Sequence, residues 1–336
     1  MRPLTEVAPA VAGEAARMLT MLDAGFPAVW TMTAAEARAA VAERVVTPDN
    51  LDDAMSDDRL IDGPGGDLRL RIYRPRGDVD RARPAIVFFH GGGFVFCSIE
   101  SHDGFCRRMA RNTASVVISV DYRLAPEHKA PAAAEDAYAA TTWVAEHHLE
   151  LGIDPAQVVV AGDSAGGNLA AVVSLMARDR RGPAIAGQVL LYPVIEPDFT
   201  TRSHREFGTG NFNTTAAMRW YWKQYLGDGC IDGAAAPRKV PSPCAYVIPT
   251  CAESLADLPP AIVVTAGRDP LSSEGRSYVA ALREAGVAVS HRHYPELFHG
   301  FLTIGPFGPA ESARQLLWAD LTDRLLITTH LGRSAA

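Results

Sequence analysis

Short apolar runs recur along the chain: AIVFF (85–89), VVISV (116–120), VVVAG (158–162), VLLY (189–192) and AIVVTAG (261–267). Runs of this length without polar alternation are the pattern of strands buried on both faces, and such strands belong to a parallel sheet covered by helices. Ahead of them, Leu68, Leu70 and Ile72 alternate with Arg69, Arg71 and Tyr73, which predicts a half-buried edge or early antiparallel strand over 67–73. Helical stretches separate the runs: Ala132 to about His148, Ala165 to about Arg178, and Ser273 to Ala285, the last stopped by Gly286. A final strand from Val287 to about Tyr294 and a closing helix from about Pro309 to Leu326 complete the alternation. Strand and helix in this order specify one doubly wound α/β domain, a mostly parallel central sheet flanked by helices.

Two segments fall outside the alternation. Residues 1–50 are Ala-rich and helical before the first strand, and residues 198–255 insert a polar, aromatic-rich stretch between two sheet strands. We read them as the two parts of one helical cap over a catalytic domain made of 51–197 and 256–336. In the second part, Trp220, Tyr221 and Tyr225 fall near helical spacing, a stripe that suits the interior of the cap better than a pocket wall. Phe94, Trp220, Tyr221 and Phe301 are nonetheless the aromatic candidates for lining a substrate pocket.

Composition narrows the partners. The 336 residues are 48% hydrophobic and carry a formal net charge of -7 with scattered Lys and Arg, so no basic stripe offers the counterion release that drives nucleic-acid binding. A small molecule is the expected partner. Arg2, Glu6, Glu14 and Arg17 interrupt every apolar run of the N-terminus, which lacks the core of a secretory signal, and no stretch approaches the length of a membrane span. Cys97, Cys106, Cys230, Cys244 and Cys251 are odd in number with no CxxC spacing, so they are expected as free thiols in a cytoplasmic protein, with neither a disulfide framework nor a metal site.

Chemistry concentrates in four places. Gly162-Asp163-Ser164-Ala165-Gly166 lies between an apolar strand and a helix, the strand–turn–helix setting of a nucleophile elbow. The bend needs glycine at 162 and 166 and holds Ser164 strained and exposed at a helix N-terminus that favours developing negative charge. His90-Gly91-Gly92-Gly93-Phe94 follows the strand AIVFF, where consecutive glycines let backbone N–H groups approach a substrate oxygen. Gly92, Gly93 and Ala165 are the expected oxyanion donors, with Gly91 the alternative if the loop register differs by one; His90 is read as a residue that fixes the loop. Asp269, stiffened by Pro270 after the strand AIVVTAG, is the candidate acid, ahead of Asp163 and Asp257. His299, beyond the last strand, is the candidate base, ahead of His291 and His293, which lie within that strand. The order Ser164, Asp269, His299 supplies a weak hydroxyl nucleophile, an imidazole to take its proton and a carboxylate to orient the imidazole. Such a triad forms and hydrolyses an acyl-enzyme with no metal or organic cofactor.

These residues resemble the bacterial hormone-sensitive-lipase-like carboxylesterases of the α/β-hydrolase superfamily, also called family IV esterases. HGGGF (90–94), DYRLAPEHKAPAAAEDAY (121–138), GDSAGGNLA (162–170), DPL (269–271) and HGF (299–301) carry the likeness, which runs from about Asp67 to the C-terminus. GDSAG is similar to the branch with Asp rather than Thr before the serine. The resemblance implies an α/β-hydrolase fold with a two-part cap, a small-molecule ester substrate of short- to medium-chain acyl type, and often a homodimer through the late strands and closing helix. Arg123, Glu127, Pro131 and Asp136 are read as a structural network beneath the oxyanion loop.

Two features depart from the family pattern. Ser272 and Ser273 stand before Glu274-Gly275 where an Arg-Asp pair is usual, and the link from Cys244 to Ala256 is longer than usual. Amide, lactone or carbamate hydrolysis by the same triad, and ligand binding without catalysis on the same fold, are the competing functions. The presence of His299 separates the chain from binding proteins that have lost the base.

Overall fold

A computed structural model describes residues 9–77, 82–228, 239–305 and 307–325. In chain order the main elements are α1 (Pro9–Gly25), α2 (Ala34–Ala42), β1 (Ala54–Gly63), β2 (Gly66–Pro75), β3 (Arg83–Phe89), α3 (Ile99–Thr113), β4 (Val116–Val120), α4 (Ala132–Glu146) and the short α5 (His148–Leu151). They continue with β5 (Ile153–Asp163), α6 (Ala165–Asp179), β6 (Gly187–Leu191), α7 (Arg202–Phe207), α8 (Thr215–Leu226), β7 (Ala261–Arg268), α9 (Ser272–Glu284), β8 (Val289–Phe298) and α10 (Gly308–Arg324). Among the described residues one sheet of eight strands runs in the order β1-β2-β4-β3-β5-β6-β7-β8. Its β1–β2 and β2–β4 pairs are antiparallel and the remaining pairs parallel.

The apolar runs alternate between the two faces of this sheet. Val87 and Phe89 of β3, with Val158 and Val160 of β5, point into the core that contains α4 and α6. Ile86 and Phe88, with Val159 and Ala161, point into the core of α3 and α10. Both faces are therefore dry, which is why these strands show no polar alternation.

Two elements escape the periodicity reading. β1 pairs with β2 from Ala54↔Pro75 to Gly63↔Gly66, but its outward positions carry Asp57, Asp58 and Arg59, so only the Pro64-Gly65 turn marks the hairpin in the sequence. α3 buries Phe105, Cys106 and Met109 together with His102, Asp103 and Arg107. Charge on an inward face breaks the apolar stripe that reveals most helices. Those charges are compensated: Arg107 donates to the Asp103 carboxylate at 2.6 Å and Tyr73 Oη donates to it at 2.8 Å.

The expectation of five free thiols needs correction. Cys244 and Cys251 form a disulfide within the link between α8 and β7, while Cys97 and Cys106 are free and Cys230 lies outside the described residues. The carbonyl of Val247, inside that loop, accepts from Asn168 Nδ2 of α6 at 3.1 Å. No helix among the described residues is long and apolar enough to cross a membrane.

Residues 9–50 do two jobs. α1 lies against β8 and α10, with the Glu14 carboxylate accepting the Gly308 N–H at the start of α10. The stretch from Phe26 to α2 instead faces α8 and the loop after β3. It meets the 198–255 segment where the Phe26 and Phe212 rings pack edge to face at 5.0 Å and Asp23 accepts the Phe212 N–H at 2.7 Å.

Candidate active site

Ser164 sits between β5 and α6 at φ 54° and ψ -116°, a conformation that costs an L-residue of order 1–3 kcal/mol. Glycine at the flanking positions makes the bend possible. A Cβ on Gly162 would lie 2.2 Å from the Gly166 carbonyl oxygen, and one on Gly166 would lie 1.9 Å from that of Phe89. The hydroxyl is 2.8 Å from His299 Nε2, and His299 Nδ1 is 2.8 Å from Asp269 Oδ2. Asp269 is buried and its other oxygen accepts the Leu271 N–H at 2.9 Å, so the carboxylate is held at both oxygens. A carboxylate can only accept, which puts the imidazole proton on Nδ1 and leaves Nε2 free to accept from Ser164.

The competing residues lie elsewhere. His291 Nε2 and His293 Nδ1 both meet the Thr265 hydroxyl, at 2.8 and 2.9 Å, on the β7–β8 surface. Asp257 is exposed. Asp163 is buried beneath the glycine loop, where it accepts the Gly91 N–H at 2.8 Å and faces His102 Nε2 at 3.2 Å. His90 Nδ1 donates to the Gly91 carbonyl at 2.7 Å, and its ring stacks on Tyr122 with centroids 4.4 Å apart. Burial pushes His90 down to about 4, so it stays neutral at pH 7.

The glycine loop is shaped by positive φ at Gly92 (108°) and Gly93 (59°). The Gly91 N–H is engaged by Asp163, whereas the N–H groups of Gly92, Gly93 and Ala165 have no hydrogen-bond acceptor among the described residues. Glycine at 93 is also needed sterically, since a Cβ there would fall 2.3 Å from the Tyr221 ring.

A cavity of about 220 Å³ opens over Ser164 and His299. Of the four aromatic candidates only Tyr221 lines it. Phe94 turns away and stacks on Tyr225 at 3.9 Å, Phe301 is buried against Tyr192 and Tyr294, and Trp220 packs beside Tyr221 outside the lining. The walls come instead from Phe26, Trp30 and Val41 of the N-terminal segment, Phe96 and Cys97 beyond the glycines, and Phe212 before α8. The signal for Phe96 and Cys97 was their place on the same loop, three and four residues past Gly93. Nothing in the sequence pairs Phe26 with Phe212, which are brought together only by the fold.

The departure at 272–273 has a structural counterpart. Ser203 Oγ of α7 donates to the Pro270 carbonyl at 2.6 Å and accepts the Ser273 N–H at 3.0 Å, while Ser273 Oγ accepts the Ser203 N–H at 3.2 Å. The hydroxyl pair fastens the inserted segment to the loop that carries Asp269. Next to it, Glu274 is buried with Oε1 accepting the Ile195 N–H at 2.8 Å and Oε2 without a partner among the described residues. Burial drives the Glu274 pKa well above its ordinary value, and the negative charge of Asp269 adds to the shift. Below the ordinary value near 4.5 the group is neutral in both folded and unfolded chains. As pH rises past that point the unfolded chain releases a proton the fold retains, so stability declines with pH until the folded group ionises. Glu274→Gln removes this titration. Its thermal midpoint relative to the parent protein should therefore climb between about pH 5 and pH 8, and an equal difference at both values would refute the assignment.

Residues 86–303 match the family model described as alpha/beta hydrolase fold. The carboxylic ester hydrolase LipN of Mycobacterium tuberculosis is 47% identical over 263 residues, covering 76% of this chain and 66% of the relative. The esterase LipI of the same organism is 44% identical over 254 residues, covering 75% and 77%. Among solved structures, a thermostable esterase from Pseudomonas putida superposes with a TM-score of 0.85 at 33% identity, covering 96% of this chain and all of that one. Sequence, fold and relatives agree, and the chain belongs to the α/β-hydrolase family, among the bacterial hormone-sensitive-lipase-like carboxylesterases.

Proposed function

We propose that this protein is a serine carboxylesterase acting on short- to medium-chain acyl esters, with Ser164 as nucleophile, His299 as general base and Asp269 as the orienting acid. The observation that carries the reading is the pair of 2.8 Å contacts that string Ser164 Oγ, the His299 imidazole and the Asp269 carboxylate together. As Oγ bonds to the ester carbonyl carbon, its proton passes to Nε2 and the carbonyl π pair moves onto oxygen. The N–H groups of Gly92, Gly93 and Ala165 are the proposed donors to that oxyanion. Collapse expels the alcohol, which takes the proton from His299; a water then adds to the acyl carbon as it gives a proton to the same imidazole, and the Oγ–acyl bond breaks with that proton returning to Ser164, releasing the acid. Every proton moves between Ser164, His299, water and the leaving alcohol, so the scheme calls for no cofactor.

Several finer points belong to the same reading. The Asp163 context supports the branch with Asp before the nucleophile, and the esterase names of its relatives support an ester as substrate. A two-part cap is supported by the meeting of Phe26 and Phe212 over the cavity. β8 is an edge strand of the sheet, which suits the homodimer that the resemblance implies. A cytoplasmic setting has the free thiols Cys97 and Cys106 in its favour and the Cys244–Cys251 bond against it.

The size of the cavity and its aromatic roof favour a compact acyl group over a long one. Initial rates over p-nitrophenyl esters from acetate to palmitate should peak at roughly four to eight acyl carbons and fall steeply beyond. A maximum at palmitate would overturn the chain-length part of the proposal, and no turnover of any ester would overturn the activity.

A further inference from the structure

One side chain from the N-terminal segment reaches across to the glycine loop. Arg38 of α2 donates from Nε to the Val95 carbonyl at 2.7 Å and from Nη2 to the Ala125 carbonyl at 2.6 Å. The outer face of its guanidinium meets Glu127, with Nη1 at 2.8 Å and Nη2 at 2.5 Å from the two carboxylate oxygens. Of the four residues read as a network, Arg123 forms a two-pronged pair with Asp136, both contacts at 2.8 Å, while Glu127 pairs with Arg38.

The contacts close a ring around the loop. Ala125 N–H donates to the Phe94 carbonyl at 2.8 Å, so Arg38 joins the residue that holds Phe94 to the neighbouring Val95 carbonyl. Val95 and Phe96 in turn donate their N–H groups to the Gly92 carbonyl at 3.0 and 3.1 Å. Glycine has little conformational preference of its own, so Gly92 and Gly93 stay in place only as far as the chain on either side is fixed. Asp163 fixes the upstream side through the Gly91 N–H, and Arg38 fixes the downstream side.

We propose that Arg38 is a positioning residue for the oxyanion donors: its planar fork, gripping the Val95 and Ala125 carbonyls together, sets where the N–H groups of Gly92 and Gly93 stand relative to Ser164. The proposal rests on the oxyanion assignment made above. The ion pair with Glu127 is the lesser part, because the side chains of Arg38 and Glu127 are 29% and 54% exposed and such pairs are weakened by solvent. Lysine cannot substitute, since an ammonium is a point donor without the two fixed prongs.

A short-chain alkyl trifluoromethyl ketone tests this. Ser164 Oγ adds to its carbonyl carbon, the hydroxyl proton passes to His299, and the π pair becomes an oxyanion in the place of the transition state's. The matching methyl ketone, which resists addition, reports ordinary pocket binding. Arg38→Ala should weaken the trifluoromethyl ketone and lower kcat/KM by about 30- to 100-fold each, with methyl ketone affinity changed by less than about threefold. Arg38→Lys should lose about tenfold or more in the same two quantities, and Glu127→Gln less than about threefold. The proposal is overturned if the Arg38 variants lose equal affinity for both ketones, or if Glu127→Gln matches Arg38→Ala; should Arg38→Ala not fold, Arg38→Lys decides. If the unaltered protein itself shows no preference for the trifluoromethyl ketone, the oxyanion assignment falls first.

Discussion

Ser164→Ala is expected to reduce p-nitrophenyl butyrate turnover by roughly 10⁴- to 10⁶-fold while leaving the protein folded. The mutant keeps the His299–Asp269 hydrogen bond and the free N–H groups near Ser164, so it should still bind substrate; what it lacks is the atom that forms the acyl bond. The residual rate then reflects water attacking a bound, polarised ester. His299→Ala should fall by a comparable factor, and the double variant should be little worse than either, because hydroxyl and imidazole act as one unit. A fluorophosphonate should label the parent protein once, at Ser164, and leave the alanine variant unlabelled. Turnover above about 1% of the parent rate in Ser164→Ala would move the nucleophile elsewhere.

Asp269→Asn should lower kcat by about 10⁴-fold with an almost unchanged fold, through the tautomer of the histidine. In the parent, Oδ1 accepts the Leu271 N–H and Oδ2 faces His299 Nδ1. Asparagine can keep the first contact with its carbonyl oxygen, which turns its NH₂ toward the imidazole. Nδ1 must then accept, the proton moves to Nε2, and Ser164 loses its base. A modest loss, under about tenfold in kcat, would mean that the carboxylate only shapes the loop.

How much of this was legible beforehand depends on where each residue's constraint lies. The buried strands β3 to β7 and the helices α4, α6 and α9 could be read from short apolar runs and helix stops, because burial on both faces leaves a local imprint. Ser164 and Asp269 were readable for a similar reason: each needs glycine or proline next to it to hold its bend. β1 was hidden by its exposed acidic positions, and α3 by the inward charges of Asp103 and Arg107. The cavity wall was the least legible part. Phe26 and Phe212 belong to segments far apart in the chain, and Phe94, adjacent to the glycines, faces away because a positive φ of 64° turns it toward Tyr225. Arg38 left no signal at all, since its partners are mostly backbone carbonyls.

The sheet order also bears on how this enzyme would lose function. His299 follows β8, which among the described residues hydrogen-bonds to β7 on one side only, whereas Ser164 follows β5, gripped from both sides at the centre of the sheet. Partial fraying of the outermost strand would carry the base away from a nucleophile that stays in place. Turnover should therefore fade in mild denaturant before the main cooperative transition, with the rim rather than the heart of the molecule setting its working range.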